Sequence, residues 1–382
     1  MTQHVKIQPV NRILPGLILC FIIMLLGIYG AGFIGKLLLA TGILPEESAS
    51  PISGIFVAIL LGILIRNTIG LSELFTKGIS FAVKYALRAG IILLGLRLSL
   101  TEALKLGAWG LPLIVSCISV GLFVTLYFTN KMNQSTRLGT LIATGTGICG
   151  VTAIMATAPV IKAKENEISY AVANITIFGL IGMLFYPYLA HAFFADAPIK
   201  AGLFLGTAIH DTAQVTGAAL IYDQMYHSKT VVDVATITKL TRNLFIIVVI
   251  PIVSFLFFKK NHKTRKGEPG QLPKWYKLFP LFILGFLFLS FMRTIGDATV
   301  SSTGLAFNFF EPRVWEDFYR FWSSFGSTYM LGLAMAGVGL STNLKIFKGL
   351  GIKPFYIGLI AALSVGAVSL LLISLFGDLI VV

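Results

Sequence analysis

The sequence predicts an all-α, polytopic membrane protein, and three observations predict it. Apolar runs of about 20 residues, the length that crosses a bilayer core as a helix, recur from Pro15 to the C-terminus. Of the 382 residues, 56% are hydrophobic and only 12% are charged, about half the charged share of an average soluble domain, so water cannot wrap such a chain. Glycine is abundant and period-two alternation is absent, so helices rather than a transmembrane barrel must satisfy the backbone.

The hydrophobic segments, about 10–11 in number at the length a span requires, follow in order over 14–42, 51–66, 80–99, 108–129, 138–161, 168–194, 200–222, 234–258, 276–295, 324–342 and 354–380. The first apolar run, Ile13 to Leu44, is too long for a signal-peptide core and has no small-residue cleavage site before soluble sequence, so it reads as a retained span. Lys259, Lys260, Lys263, Arg265, Lys266, Lys274 and Lys277 make the most basic connection, and the positive-inside rule puts this loop, 259–274, in the cytoplasm. Glu46 and Glu47 stand in a connection without Lys or Arg and fit the outside.

Counted from a cytoplasmic N-terminus with Lys6 and Arg12, the connections holding Arg66 and Lys77, Lys131 and Arg137, and Lys345, Lys348 and Lys353 all fall inside. Lys162 and Lys164 break the pattern if 138–161 crosses completely. The conflict disappears if 138–161 and 200–222 are both broken or re-entrant, one dipping in from the cytoplasm and one from outside, because overall parity is then unchanged. Ser301 to Phe321 is too polar to span. With Phe307, Phe309, Phe310, Trp315, Phe318 and Tyr319 among Glu311, Arg313, Glu316, Asp317 and Arg320, it reads as an external amphipathic segment over 300–322. No soluble domain is expected, and 1–382 reads as one integral membrane domain.

Several function classes are excluded by the same residues. The net charge of +14 sits in short connections rather than one interleaved patch, so it reads as topology and not as nucleic-acid binding. Cys20, Cys117 and Cys149 lie inside apolar segments without pairable spacing, which argues against a disulfide framework or a zinc site. There is no nucleophile elbow, HExxH, pair of carboxylates within a span or phosphate loop, so no enzyme, metal or cofactor is expected, and no ATPase on this chain. Transport must then be passive, ion-coupled or driven by a partner.

Two internal echoes point to inverted repeats. Gly145 to Cys149 reads GTGIC and Gly206 to His210 reads GTAIH, while GIILLGLRLS from Gly90 echoes GLAMAGVGLST from Gly332. On the topology above, the members of each pair face opposite ways, as in transporters whose glycine-interrupted half-helices meet near the midplane. The stretch TGTGICGVTAIMATAP, Thr144 to Pro159, should not stay a straight helix, because each glycine weakens the ladder by about 1 kcal/mol. Freed N–H groups at a half-helix N-terminus suit an anion, and Thr144, Thr146 and Thr152 add hydroxyl donors; small-residue helix packing is the plainer alternative.

In GTAIHDTAQVTGA, Gly206 to Ala218, the polar residues His210, Asp211 and Gln214 interrupt an apolar run, and buried ionisable groups are normally paired or line a watery cavity. His210 and Gln214 share a helix face if that run is helical, and Asp211 beside His210 can carry a coupling proton. Arg97 is the favoured anion ligand: with a helix starting near Ala82 it lies well inside the span, and its guanidinium matches oxyanions bidentately. Arg88, Lys84 and Lys239 are weighed against snorkelling to an interface.

The blocks LRAGIILLGLRLS (Leu87 to Ser99), TGICGVTAIMATAPVIKA (Thr146 to Ala163), GTAIHDTAQVTGA, KLTR (Lys239 to Arg242) and LAMAGVGLST (Leu333 to Thr342) resemble the YeiH-like sulfate-exporter family of bacterial inner-membrane proteins. The likeness runs from about residue 15 to the end. It implies an inner-membrane protein related in fold to bile-acid symporters and sodium-proton antiporters, with two broken helices crossing in a core beside a scaffold. The family's motif positions fall on Arg88, Arg97, Cys149, His210, Asp211, Gln214, Lys239 and Arg242, with Asp211 standing where the family pattern has Glu. The sulfate of the family name comes from sulfonate-related gene neighbourhoods.

The expectation is a secondary transporter exporting a small oxyanion such as sulfate, sulfite or a sulfonate. Arg97, Thr144, Gly145, Thr146, Gly147, Cys149, Gly150, Gly206, Thr207 and Gln214 are the expected substrate contacts. His210 and Asp211 are the expected coupling pair, and Arg88, Lys239 and Arg242 supply supporting charge. The expected partners are the anion, the lipid bilayer and a proton or sodium ion, and a homodimer is compatible with the reading. Two rivals are a sodium-coupled organic-anion importer and a membrane-embedded binding or regulatory protein without transport; a membrane enzyme with Cys149 as nucleophile ranks third.

Overall fold

The computed structural model describes residues 10–40, 53–261, 280–343 and 351–380, and these are helical throughout with no strand among them. Helix α1 covers Val10–Ala40 and α2 Gly54–Thr68, started by Ser53, whose hydroxyl accepts from the Phe56 N–H. Helix α3 runs over Glu73–Arg97, with a π-helical turn at Ala82–Ala86 and a tightened last turn at Gly95–Arg97. Ser99 and Glu102 then form a capping box that starts α4, Leu100–Lys131, satisfying two orphan donors reciprocally.

The remaining helices are α5 (Thr136–Gly147), α6 (Val151–Thr157), α7 (Glu165–Phe194), α8 (Pro198–Ala208), α9 (Thr212–Tyr226), α10 (Lys229–Leu244), α11 (Ile246–Asn261), α12 (Phe282–Thr303), α13 (Pro312–Phe325), α14 (Leu331–Ser341) and α15 (Ile352–Phe376). Among the described residues six helices are long and apolar enough to cross a bilayer, or seven if the pair α10–α11, bent by 43°, is one span. The loop residues Lys263, Arg265, Lys266, Lys274 and Lys277, and also Lys6, Glu46, Glu47, Lys345 and Lys348, lie outside the described residues.

Both glycine-rich segments are re-entrant hairpins. Before α5, Ser135 donates to Glu167 in the first turn of α7 at 2.6 Å, so the start of α5 and the start of α7 share one end of the molecule. Helix α6 returns to that end beside α11, where Ala158 and Ile161 cluster with Phe257. Lys162 and Lys164 therefore sit with Lys131 and Arg137, which removes the sign conflict of a complete crossing. The second hairpin enters from the opposite end: Pro198 follows α7 directly, and α9 finishes with Tyr226 stacked on His191 of α7 at 3.7 Å. Helix α8 runs parallel to α10, with Gly202 against Val234 and Gly206 against Thr238, while α9 runs back from Thr212, which accepts from Asn243 at 3.1 Å.

The other echo also has a structural counterpart. Helix α13 continues into α14 through a π-helical turn at Gly326–Met330, so both α3 and α13–α14 carry such a turn just before the echoed stretch. The two helices cross there: Gly90 leaves room for Leu331, and Gly326 faces Leu93 and the Gly90 carbonyl. Helices α1, α2, α3 and α14 pack as one group, close enough that a Cβ on Gly78 would lie 2.1 Å from the Ile13 carbonyl oxygen. Residues 300–303 close α12, Phe307, Phe309 and Phe310 lie in the turn after it, and the rest of the aromatic, charged stretch folds as α13, in line with α14. There Trp315 donates to Asp297 at 3.1 Å and Arg293 stacks 3.3 Å from the centre of the Tyr319 ring.

Candidate functional site: the crossing of the two hairpins

The tips of the hairpins, 148–150 and 209–211, meet deep within the helical body, where α5 and α8 end and α6 and α9 begin. Two C-terminal helix ends thus face each other with carbonyls that no following turn can satisfy. Two cations of α10 satisfy them. The Lys239 ammonium donates to the carbonyls of Ile148 (3.1 Å), Ile209 (3.2 Å) and His210. The Arg242 guanidinium donates through Nε to Gly147 (3.0 Å), through one terminal nitrogen to Thr146 (2.6 Å) and through the other to Thr207 (2.6 Å). Lys239 and Arg242 are 1% and 0% exposed, so snorkelling, the alternative weighed for Lys239, is excluded.

The N-terminal ends are treated oppositely. Asp211 caps α9, its carboxylate accepting from Ala213 N–H at 2.9 Å, and it also faces the first N–H of α6, at Val151. Gly150 makes this approach possible: its φ is +66°, and a Cβ there would lie 2.9 Å from the Asp211 carboxylate. Two C-terminal dipole ends and two N-terminal ones, about half a charge each, cancel to first order. Two basic side chains against one carboxylate then leave a formal excess of one positive charge. Burying it costs several kcal/mol per ion unless the geometry is fully hydrogen-bonded, and here it nearly is.

The crossing is not sealed. Asp211, Thr212 and Val151 are half-buried and Thr152 is exposed, on a face that continues along α6 through Met155 to Pro159. Buried polar atoms without partners gather around it: Thr146 Oγ1, His210 Nδ1, Thr238 Oγ1 and Asn243 Oδ1. In most folded proteins such atoms are satisfied, and a cluster of exceptions marks a place for a ligand or water.

The structure brings some of the expected residues together and leaves others elsewhere. Thr146, Gly147, Gly150, Thr207, His210, Asp211, Lys239 and Arg242 meet at the crossing. Cys149 is there too but turns into an apolar cluster with Ile114, Ile118 and Ile246. Thr144 is buried and donates back to Thr140 and Leu141, while Gly145 and Gly206 serve close packing, against Ile175 and Thr238 respectively. Gln214 turns to α7, donating to the Thr176 carbonyl at 2.9 Å, and His210 lies in the break between α8 and α9, so the two do not share a helix face.

Arg97 and Arg88 are not at the crossing. Arg97 closes the last turn of α3 and meets Asp233 at 3.1 Å, six residues before Lys239 and so about 9 Å away along α10. Arg88 is exposed, 5.8 Å from the centre of the Phe282 ring. The half-helix N-terminus of α9, expected to receive an anion, is occupied by its own Asp211. Sequence reasoning missed Thr212, Thr238 and Asn243. Asn243 had a legible signal, following Arg242 in an otherwise apolar run.

Comparison with known proteins gives the family. A family model described as "Conserved hypothetical protein 698" matches residues 15–358. The chain belongs to the UPF0324 family of membrane proteins. It is the family that the sequence blocks resemble, the YeiH-like one. A UPF0324 membrane protein of Streptococcus agalactiae is 34% identical over 368 residues, covering 95% of this chain and 98% of the relative. One of Fusobacterium nucleatum is 33% identical over 369 residues, covering 96% and 99%, and one of Streptococcus mutans is 35% identical over 345 residues. The family model spans both hairpins and α10 of this UPF0324 chain.

Proposed function

We propose that this protein is a secondary transporter that exports a small oxyanion of the sulfate, sulfite or sulfonate class across the bacterial inner membrane, with its N-terminus cytoplasmic. The observation that carries the reading is the pair of buried basic side chains, Lys239 and Arg242, held at the crossing of two re-entrant hairpins beside the partly exposed Asp211, Thr212 and Thr152. Lys239 and Arg242 attract the anion through their field rather than by direct bonds, because their donors are engaged by backbone carbonyls. Direct contacts fall to the hydroxyls of Thr152 and Thr212, which border the half-buried Asp211. Protonation of Asp211 raises the local charge from +1 to +2 and favours anion binding, which couples the anion to a proton.

The test is a thermal-shift screen of purified protein against sulfate, sulfite, thiosulfate, taurine and carboxylates, followed by flux in proteoliposomes with and without a pH gradient. A ligand at 100 times its Kd stabilises the folded state by about 2.7 kcal/mol. Binding without flux would favour the non-transporting reading. A second reading, sodium coupling, rests on Asn243 Oδ1, an unpartnered carbonyl-type oxygen on the residue that bonds Thr212. Flux that follows a sodium gradient and ignores pH would favour it.

A further inference from the structure

The helices divide by contact into the group α1–α3 with α12–α14, and the group α4–α11 with α15 that carries the crossing. The polar bonds that join α2 and α3 to the second group lie at one end of the molecule. Ser53, ahead of α2, donates to the Gln224 side-chain carbonyl at 2.7 Å, and that oxygen also accepts from the Ile55 N–H at 3.2 Å. Arg97, ending α3, meets Asp233 of α10 at 3.1 Å, with Asp223, Lys229 and Glu102 around the pair. Deeper in, Gly217 of α9 seats Met335 of α14. Toward the other end, α6 and α11 make no comparable packing with α2, α3 or α14 among the described residues, and Thr152 and Met155 of α6, Pro159 just after it and Leu64 of α2 are exposed.

We infer that Arg97–Asp233 and Ser53–Gln224 form a latch that closes the crossing to the end where α9 stops and α10 starts, and that its release opens the same crossing to that end. The latch holds without being rigid. The Asp233 oxygen facing Arg97 receives no aligned hydrogen bond although the two groups lie 3.1 Å apart, so the pair is a contact of charges without a directional bond to hold it in place. The crossing itself cannot be the moving joint, because Lys239 and Arg242 bind carbonyls of both hairpins and fix the tips to each other. Motion must fall between the two groups of helices, where the contacts are few and end in the latch.

This rests on the crossing being the transport site, but its test does not need a substrate. In a variant with Cys20, Cys117 and Cys149 replaced by Ala, Thr152→Cys reports access to the crossing through a membrane-impermeant maleimide, applied separately to each side of sealed vesicles. Adding Ser53→Cys and Gln224→Cys and oxidising them should confine labelling of Thr152→Cys, read on the proteolytic peptide that carries position 152, to the side of Lys131 and Lys164, and reduction should restore labelling of that peptide from both sides. Arg97→Gln and Asp233→Asn, made separately in case one folds poorly, should each raise labelling from the latch side severalfold. Labelling of the oxidised protein from the latch side at the reduced protein's rate would overturn the latch. So would an unchanged two-sided ratio in both charge variants. If proteoliposomes of protein that keeps Thr152 show no flux of any anion while labelling shifts as stated, the latch stands and the transport reading falls; flux that survives oxidation of the Ser53→Cys, Gln224→Cys pair in protein that keeps Thr152 sinks the latch alone.

Discussion

The Lys239 ammonium closes on the carbonyl of His210, and one residue later the carboxylate of Asp211 turns the other way to cap α9. Positive and negative groups are thus sorted at a single peptide, each onto the helix end of opposite sign. The sorting makes the crossing sensitive to changes that keep size and remove charge.

Arg242→Met should be the most damaging of these. It leaves the carbonyls of Thr146, Gly147 and Thr207 without donors in a dry setting, and removing one partner of a buried charged network costs about 3–5 kcal/mol. Thermal unfolding in detergent, followed by size-exclusion chromatography, should show a large fall in the midpoint. A midpoint within a degree of the parent would mean that the carbonyls find other partners.

Gly150→Ala and Gly70→Ala separate conformational strain from collision. Both glycines have positive φ, +66° and +80°, but Gly70 has nothing within 4 Å of an added methyl whereas Gly150 has the Asp211 carboxylate at 2.9 Å. Each should lose about 1 kcal/mol from backbone strain alone. Only Gly150→Ala should lose more, together with the thermal response to the ligand; equal losses would show that the approach to Asp211 carries no weight.

Asp211→Asn keeps a good helix cap but deletes the carboxylate charge. The local sum rises permanently from +1 to +2, the value that protonation reaches transiently in the parent. The variant should bind the anion at least as tightly as the parent at low pH, and its binding should no longer vary with pH. Affinity that still falls as pH rises, measured by isothermal titration, would move the coupling proton to another group.

Arg97→Gln should leave anion affinity within about threefold of the parent, because its partner is Asp233 and it does not reach the crossing. Thr152→Val with Thr212→Val, which removes two hydroxyls on the open face, should weaken it by tenfold or more at about 1 kcal/mol per hydrogen bond. The reverse ranking in a thermal-shift titration would return Arg97 to the binding site.

Cys20, Cys117 and Cys149 are all buried, and none should react with a polar maleimide in native membranes, while all three should react once the protein is unfolded. Cys149→Ser should leave binding and flux unchanged. Loss of activity in that variant would revive the enzyme reading.

The hairpins were legible in the sequence because two lysines, Lys162 and Lys164, fell on the wrong side of a simple count, and because glycine and threonine crowded the same stretch. Which cation sits between them was not legible, for a reason of length. Arg97 looks deep if its helix begins near Ala82, but α3 begins at Glu73, so Arg97 is its last residue. Lys239 looks marginal if its helix begins near residue 234, but α10 begins at Lys229, which carries Lys239 and Arg242 to the middle. A shift of one or two turns at a helix start, invisible in a continuous apolar run, reversed their roles. Hydropathy gives the presence of a span; the capping residues and the neighbours decide its depth.

The carbonyls at the first hairpin's tip wait for donors that lie 91 to 96 residues further along the chain. During synthesis that hairpin is therefore inserted before the side chains that complete it exist, and its exposed backbone must be carried by water or by the insertion machinery until α10 arrives. Truncations ending between α9 and α10 should then be cleared by membrane proteases, whereas those that retain α10 should persist.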